Sequence, residues 1–302
     1  MIFALLDAGP IKIVRDIMGG RGLDSGGLDI RGNLSSLTIG GSVIGGAGAR
    51  QSGAVVVGGD LGTVAITGNI VGGSSSTHLE LVDSGVVKAR RIGTMTLGSL
   101  FAGTNTFALL SPFTNNGAIV VQNDIASLTL KGSVVGNTTN KALIRARGQL
   151  AATTTDLAIG KLTIAGNVEY GQILAGFDLL GVAKNADAQI GPVVVGGDWI
   201  ASDLVAGAVT GAGGRYGDAG DAKISGAGVK DVATVFSKIT SISIGGQVIG
   251  TATVGDHYGF VAQNIAIFKV KGGLTTYPLV VGNGNDSLLL TILLNDVRLD
   301  EI

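Results

Sequence analysis

The chain has 302 residues, of which 52 are glycine and none is cysteine, and its formal net charge at pH 7 is −1. This near-neutral charge excludes the strongly basic surface of a nucleic-acid-binding protein, and the lack of cysteine excludes disulfide and thiolate chemistry. Aromatic residues make up only 4% of the sequence, too few for long rows of stacking platforms.

One short pattern recurs nine times from residue 11 onwards. Each copy has an apolar residue, two spacers, an apolar-x-apolar unit, and then a glycine in most copies. The central apolar residues of the copies are Ile13, Ile39, Ile66, Leu97, Leu130, Ile164, Val195, Ile244 and Val270. Alternation with a period of two, in β-branched residues, is typical of strands with one buried face. An apolar residue four positions after the centre is also predicted to point inward, and Phe101 takes this place in the Leu97 copy.

Each copy therefore predicts a short strand, a glycine corner and a second short strand. A third strand is predicted upstream, at 54–57, 86–89, 118–121, 143–146 and 260–262. Three strands per repeat predict an all-β protein, a parallel β-helix (β-solenoid) of nine to ten coils with loops of variable length. Because parallel crossovers are right-handed by general rule, we expect a right-handed coil. A continuous repeat also predicts a single domain over residues 1–302.

A column of small polar residues lies three positions after the centre in most copies. Its members are Asp16, Ser42, Asn69, Ser133, Asn167, Asp198 and Gln247. Stacked beside the glycine corner, these side chains are predicted to hydrogen-bond along the rod or to satisfy amides of the corner.

The spacing between copies ranges from 26 to 49 residues, and we expect loops on one corner to absorb the difference. The longest insertion includes residues 207–228, which are glycine-rich and polar. Its composition favours a solvated loop. Calcium is the alternative ligand chemistry, with Asp218 and Asp221 as candidate metal ligands.

The C-terminal residues 281–302 are predicted to form a terminal coil or an end cap. Within them, residues 282–288 resemble half of the calcium-binding nonapeptide of toxin-type β-rolls, which makes Asp286 a third candidate metal ligand. A plain glycine turn is the simpler interpretation, because the motif has no tandem neighbour. No other cofactor is indicated.

The sequence shows no convincing catalytic set. His257 stands between Asp256 and Tyr258, which we interpret as a surface turn rather than an acid–base group, and Trp199 occupies an inward apolar position. The repeat brings no obvious pair of acids to one face, so the sequence favours a protein that is not an enzyme. The first residues show no export signal, and no apolar run is long enough to span a membrane as a helix.

Several segments resemble the β-strand repeats of large secreted or surface proteins of environmental bacteria, especially planctomycete-type exoproteins. They are SLTIGGSVIGG (36–46), AQIGPVVVGGDWIASDLVAGA (188–208), KITSISIGGQVIGT (238–251) and DHYGFVAQNI (256–265). The resemblance implies an extracellular or cell-surface β-helix and supplies no catalytic residues.

The leading hypothesis is an extracellular structural or adhesive rod, either self-assembling end to end into filaments or forming part of a larger surface protein. Its expected partners are other copies of itself, bound through the unpaired strand edges of the solenoid ends, or matrix and cell-surface glycans. The alternative is a β-helix protein that binds or degrades polysaccharide, because a long parallel face can hold an extended sugar chain.

Overall fold

The computed structural model describes residues 1–76, 80–106, 113–149, 151, 155–270, 275–277, 279, 286–291 and 296–302. Over these ranges the chain contains strands and no helix, and three long sheets of parallel strands run the length of the molecule. Each coil visits the three sheets in turn. The predicted all-β parallel solenoid with three short strands per coil is therefore confirmed.

The first sheet holds the strand that opens each coil, and its strands are Ile2–Ala4, Leu28–Ile30, Ala54–Val57, Val86–Ala89, Ala118–Val121, Ala142–Ala146, Gly171–Ala175, Asp203–Ala206, Tyr258–Ala262 and Val297–Glu301, with Ser287–Leu289 antiparallel at the edge. The second sheet carries the repeated apolar pattern, in Ile11–Ile13, Leu34–Ile39, Asp60–Ile66, Arg91–Leu97, Ile125–Leu130, Leu157–Ile159, Leu162–Ile164, Gln189–Val195, Lys238–Ile244, Asn264–Ile265 and Phe268–Val270, with Thr275–Thr276 antiparallel at the edge. The third sheet has two-residue strands, Ile17–Met18, Val43–Ile44, Ile70–Val71, Leu100–Phe101, Val134–Val135, Val168–Glu169, Trp199–Ile200 and Val248–Ile249. A small antiparallel pair, Ala208–Val209 with Ala222–Lys223, lies outside the three sheets.

The register of the second sheet follows the sequence repeat. Ile13 pairs with Ile39, Ile39 with Ile66, and so on to Ile244 with Val270. These residues point into one continuous core that runs through all the coils. Because each coil buries its apolar side only against its neighbours, stability comes from stacking.

Among the described residues, the large aromatic side chains of the core lie near its C-terminal end. The Trp199 and Phe260 ring centroids are 4.9 Å apart, and those of Phe260 and Phe268 are 5.0 Å apart. Tyr277 extends the series at 5.3 Å from Phe268. The inward position predicted for Trp199 is confirmed, since its side chain is fully buried.

The corner between the second and third sheets carries a ladder of hydrogen bonds, as the polar column predicted. In each step a side-chain oxygen of one coil accepts from the backbone N–H of the corresponding residue in the next coil. The ladder runs through Asp16, Ser42, Asn69, Ser99, Ser133, Asn167, Asp198 and Gln247 with N···O distances between 2.6 and 3.0 Å. Buried and half-buried amides of the corner are satisfied in this way.

The glycines of this corner are required by close approach. A Cβ on Gly166 would lie 2.2 Å from Ser133 Oγ, and one on Gly197 would lie 2.0 Å from Asn167 Oδ1. The ladder side chain of one coil thus occupies the space where the next coil would place a Cβ. Positive φ is used elsewhere, at Gly26, Gly53, Gly85 and Gly117, just before strands of the first sheet.

The Leu97 copy corrects one sequence-based prediction. Its corner is one residue shorter than the others, so Ser99 enters the ladder and Leu100 pairs with Val134. Leu100 is fully buried, whereas Phe101, which the spacing placed inward, is only half-buried. The fixed offset of four residues from the strand centre missed this deletion. Ser99 keeps its hydrogen-bonded place in the ladder although the corner has one residue fewer.

Length variation occupies two corners rather than the one that was expected. Two long loops lengthen the corner from the third sheet to the first. Their described parts are residues 72–76 and 80–85, and residues 102–106 and 113–117. Residues 176–188 and 207–237 lengthen the corner from the first sheet to the second. The two variable corners flank the first sheet, so insertions from either side reach its outer face.

The two ends of the solenoid differ. At the N-terminal end, Ile2–Ala4, Ile11–Ile13 and Ile17–Met18 are the outermost strands of the three sheets. At the other end, the antiparallel strands Ser287–Leu289 and Thr275–Thr276 close the first and second sheets. Among the described residues there is no helix long and apolar enough to cross a membrane.

Candidate ligand-binding cleft

A cleft of about 370 Å³ lies on the outer face of the first sheet. Its floor is formed by outward residues of neighbouring strands, and its walls come from insertions at both variable corners. The lining residues are Thr138, Lys141, Gln172, Asp203, Gly214, Arg215, Tyr216, Thr253, Asp256, His257 and Tyr258. A volume of this size lies within the range typical of small-ligand sites.

The insertion 207–228 folds back onto the sheet to form one wall. It was predicted as a solvated loop, but Tyr216 is 5% exposed and Ile224 is fully buried. Both belong to a second apolar cluster on the outer face of the first sheet, together with Val205 and Val261. The sequence suggested a solvated loop because glycine and alanine dominate the insertion. Two apolar side chains, Tyr216 and Ile224, are nevertheless enough to anchor it on the sheet.

A buried ionic cluster holds the end of this insertion. Lys230 forms ion pairs with Asp156 and with Asp187, the latter at 3.6 Å, and both carboxylates are fully buried. Asn185 Nδ2 donates to Asp156 at 2.6 Å. Burial raises the pKa of Asp187, and its hydrogen bonds from the Val232 amide and its attraction to Lys230 oppose the rise. The insertion is therefore attached to the solenoid at a fixed place.

The cleft floor interrupts an apolar column. The outward residues in register along the first sheet are Ala54, Val86, Ala118, Leu143, Gln172, Asp203 and Gly259. The column is apolar for four coils and becomes polar at Gln172 and Asp203. A Cβ on Gly259 would lie 2.7 Å from the Gly217 N, so the backbone of the insertion occupies this space, and Gly259 donates its N–H to Asp203 Oδ1 at 3.1 Å.

Asp203 is a buried acid at the floor of the cleft. Burial raises the pKa of Asp203 to about 7, against the opposing effects of the Gly259 amide, Lys141 and Gln172. Gln172 Nε2 lies 3.4 Å from Asp203 Oδ2, a long hydrogen bond. Near neutral pH this carboxyl group therefore exists in both protonation states, able to donate as well as to accept a hydrogen bond.

Asp256, His257 and Tyr258 form the opposite side of the cleft. Their burial shows that the interpretation of this triplet as a surface turn is wrong. Asp256 and Tyr258 are buried, and His257 is half-buried. Asp256 Oδ2 accepts hydrogen bonds from Thr251 Oγ1 and, at 3.2 Å, from the Tyr258 hydroxyl. Burial raises the pKa of the Tyr258 phenol, which keeps it a donor. Asp256 Oδ1 and His257 Nδ1 are buried without a hydrogen-bond partner among the described residues.

Two cations face the same cleft. The Lys141 ammonium lies 4.5 Å from the Tyr170 ring centroid and 5.1 Å from that of Tyr258. Burial lowers the pKa of Lys141, while Asp203 and Asp256 raise it and Arg215 lowers it. Arg215 is exposed on the rim and donates to the Gly255 carbonyl, which links the two walls.

The three predicted calcium ligands lie outside the cleft lining. Asp221 Oδ2 accepts the Gly217 N–H at 2.7 Å, and Asp218 Oδ1 accepts the Gly220 N–H at 2.7 Å. Both carboxylates thus organise the turn of the insertion, and burial raises the pKa of Asp221 to about 7. Asp286 donates its N–H to Glu301 at 3.2 Å, while residues 282–285 of its motif lie outside the described residues.

No group of three or more acidic or histidine side chains in the described ranges is arranged as a set of metal ligands. Calcium binding by Asp218, Asp221 or Asp286 stays a prediction.

Sequence reasoning missed Lys141, Gln172, Asp203 and Arg215 as site residues. The signal for Gln172 and Asp203 is their place in a column that is otherwise apolar, which becomes visible once the first-sheet strands are aligned. Lys141 and Arg215 lie in loops of unrelated length, and no repeat position marks them.

The cleft brings together hydrogen-bond donors and acceptors, among which the Lys141 ammonium has no hydrogen bond to a described residue. It can hold a polar ligand that carries hydroxyl groups together with a hydrogen-bond acceptor for the Lys141 and Arg215 side chains. No protein-family model matches the chain, and no curated protein or solved structure matches it significantly.

Proposed function

We propose that the protein is an extracellular adhesive β-solenoid, a rigid rod that binds a glycan in the cleft on its first sheet. The observation that carries this proposal is the cleft itself, a polar cavity of about 370 Å³ assembled only where insertions from both variable corners meet. The resemblance to bacterial surface repeats supports the location and the scaffold role.

The chemistry of the lining supports a saccharide ligand. Sugars present dense hydroxyl groups, and the cleft walls offer the hydroxyl groups of Thr138, Thr253 and Tyr258. Gln172 and Asp203 add amide and carboxyl groups on the floor. A few polar groups placed on the lining of a cleft fix the orientation of a polar ligand.

The test is binding of the purified chain to an immobilised panel of neutral and acidic oligosaccharides. Thr253→Trp places a large side chain on the exposed rim and is expected to weaken binding at least tenfold. Thr67→Trp, an exposed residue at the constant corner, is the matched control and should bind like the parent. Loss of binding in both variants, or in neither, would count against the cleft.

Binding rather than catalysis is expected at this site. After prolonged incubation with the protein, the bound oligosaccharide should elute unchanged in length and mass. Shortened or unsaturated products would replace adhesion with a polysaccharide-degrading activity and make Asp203 and Asp256 the first acids to substitute.

A second candidate function is self-association through the N-terminal end. The outermost strands there have one unpaired edge among the described residues, and the apolar side chains Leu5, Leu6 and Val14 are between 70% and 78% exposed. A second copy offers the same three edges at the same spacing, so two rods can join end to end by a two-fold contact.

Light scattering over a wide concentration range tests this contact. The parent chain should dimerise into rods of double length, and Leu6→Lys with Val14→Lys should stay monomeric. A parent chain that is monomeric at all concentrations would refute self-association, and long filaments would show that the C-terminal end also takes part.

A further inference from the structure

Lys141 has hydrogen-bonding capacity that no described residue uses. Its ammonium group carries three donors, yet its contacts with the described residues are the two aromatic faces of Tyr170 and Tyr258. No hydrogen bond or ion pair joins it to any described side chain or carbonyl. Aromatic faces attract a cation but do not accept its N–H groups as an oxygen does.

Arg215 brings a second positive charge to the same cavity. Burial lowers the pKa of Lys141, and the repulsion from Arg215 lowers it further, by less than Asp203 and Asp256 each raise it. The Arg215 guanidinium has five N–H donors, and the described acceptor is the Gly255 carbonyl. Two cations that repel each other across a cavity are both stabilised when an anion lies between them.

The acids of the cleft attract Lys141, but other hydrogen-bond donors already occupy them. Asp256 already accepts from Thr251 and Tyr258 through one oxygen, and Asp203 accepts from Gly259 and Gln172. Burial holds Asp203 partly protonated near neutral pH, with its pKa raised to about 7. Neither acid forms an ion pair with Lys141 or Arg215 in the described structure.

We propose that the ligand of the cleft is an acidic saccharide of the uronic-acid type, with its carboxylate between Lys141 and Arg215. This inference rests on the proposed function, because it names the class of glycan that the cleft takes. The guanidinium fork suits a planar carboxylate, and the ammonium supplies a point charge beside it.

Titration calorimetry with oligomers of galacturonate, glucuronate and mannuronate tests the charge requirement. The best oligouronate should bind at least tenfold more tightly than its own methyl ester, which keeps the hydroxyl groups and loses the charge. A sulfated neutral oligosaccharide serves as a second anion, and it should bind more weakly than the carboxylate. Equal binding of acid and ester, or tighter binding of the sulfated sugar, would overturn the uronate assignment.

Variants identify the cations responsible. Lys141→Met and Arg215→Gln should each reduce the preference for the acid over the ester at least fivefold, whereas Lys131→Met, an exposed lysine at another corner, should keep it. Unchanged preference in both cleft variants would overturn the proposal. Binding of neutral sugars alone would refute this inference and leave the glycan-binding function intact, while binding of no saccharide would refute both.

Discussion

The constant corner and the variable corners of this solenoid use similar glycine-rich sequence for opposite purposes. At the constant corner, the coils from Asp16 to Gln247 repeat one hydrogen bond, and Gly166 or Gly197 is needed because a side chain from the previous coil fills the adjacent space. At the variable corners, the chain departs from the repeat and builds the cleft. Glycine at the first permits close stacking, and glycine at the second permits irregular loops.

The difference teaches that stability and recognition are separated in this molecule. The ladder and the core are shared by all coils, whereas Arg215 and Asp256 occur in single insertions. Substitutions at the constant corner should therefore affect unfolding, and substitutions in the cleft should affect binding, except where an insertion is tied to the core.

That exception gives the largest expected effect. Lys230→Met leaves Asp156 and Asp187 buried without their cation, and we expect the free energy of unfolding to fall by about 3 kcal/mol. Lys223→Met is the matched control, because Lys223 pairs with Asp231 at the surface and its loss should change stability by less than about 1 kcal/mol. Denaturant unfolding of both variants measures the contrast, and equal losses would show that the buried cluster does not hold the insertion.

A methyl group at the constant corner comes next. Gly166→Ala places a Cβ 2.2 Å from Ser133 Oγ, so we expect a loss of about 2 kcal/mol from overpacking and from displacement of the ladder. Gly22→Ala lies at a variable corner where a Cβ meets no atom within 4 Å, and its stability should match that of the parent. Similar unfolding midpoints for the two variants would contradict the close-approach explanation.

The pH dependence of stability tests the buried acid of the cleft. The pKa of Asp203 is about 7 in the folded protein, whereas its ordinary value is 3.8. Between these values the folded protein holds a proton that the unfolded chain has lost, so the free energy of unfolding falls as the pH rises from about 4 to 7. Thermal unfolding across this range should show the slope, and Asp203→Asn should reduce it. Asp187 and Asp221 contribute in the same direction, so a slope unchanged in Asp203→Asn would assign the effect to these two acids.

A single ladder bond gives the smallest effect. Asn167→Ala removes the acceptor of the Asp198 N–H, and we expect a loss of about 1 kcal/mol. Asn167→Ser should recover most of it, because serine fills the same role at Ser133. Thermal unfolding of the pair measures the difference. If serine is no better than alanine, the hydrogen bond contributes nothing to the corner.

The sequence predicted the parts of the fold that repeat. The strand centres from Ile13 to Val270, the first-sheet strands such as Ala54–Val57, and the polar ladder all follow from periodic physical needs, namely a buried face and satisfied amides. The period of the apolar and polar positions can be recognised in a single sequence because successive coils repeat it.

The cleft was not predicted, because its residues meet through loops that occur once. Lys141 and Arg215 are 74 positions apart, and nothing in the pattern sets how each insertion folds over the sheet. The burial of Tyr216 and Ile224 decides that fold, and two apolar residues among many glycines give a weak signal. Asp203 could have been recognised from the sequence, because it is a charged residue in a mostly apolar column of the first sheet.

Because of the aromatic core described above, the intrinsic fluorescence of this protein reports on one end of the rod. Its single tryptophan is Trp199, and its four tyrosines are Tyr170, Tyr216, Tyr258 and Tyr277, so the first half of the rod contains no strong ultraviolet fluorophore. Intrinsic emission therefore follows the coils that carry the cleft, while backbone dichroism follows the whole rod. Recorded together during unfolding, the two signals show which end of the solenoid opens first.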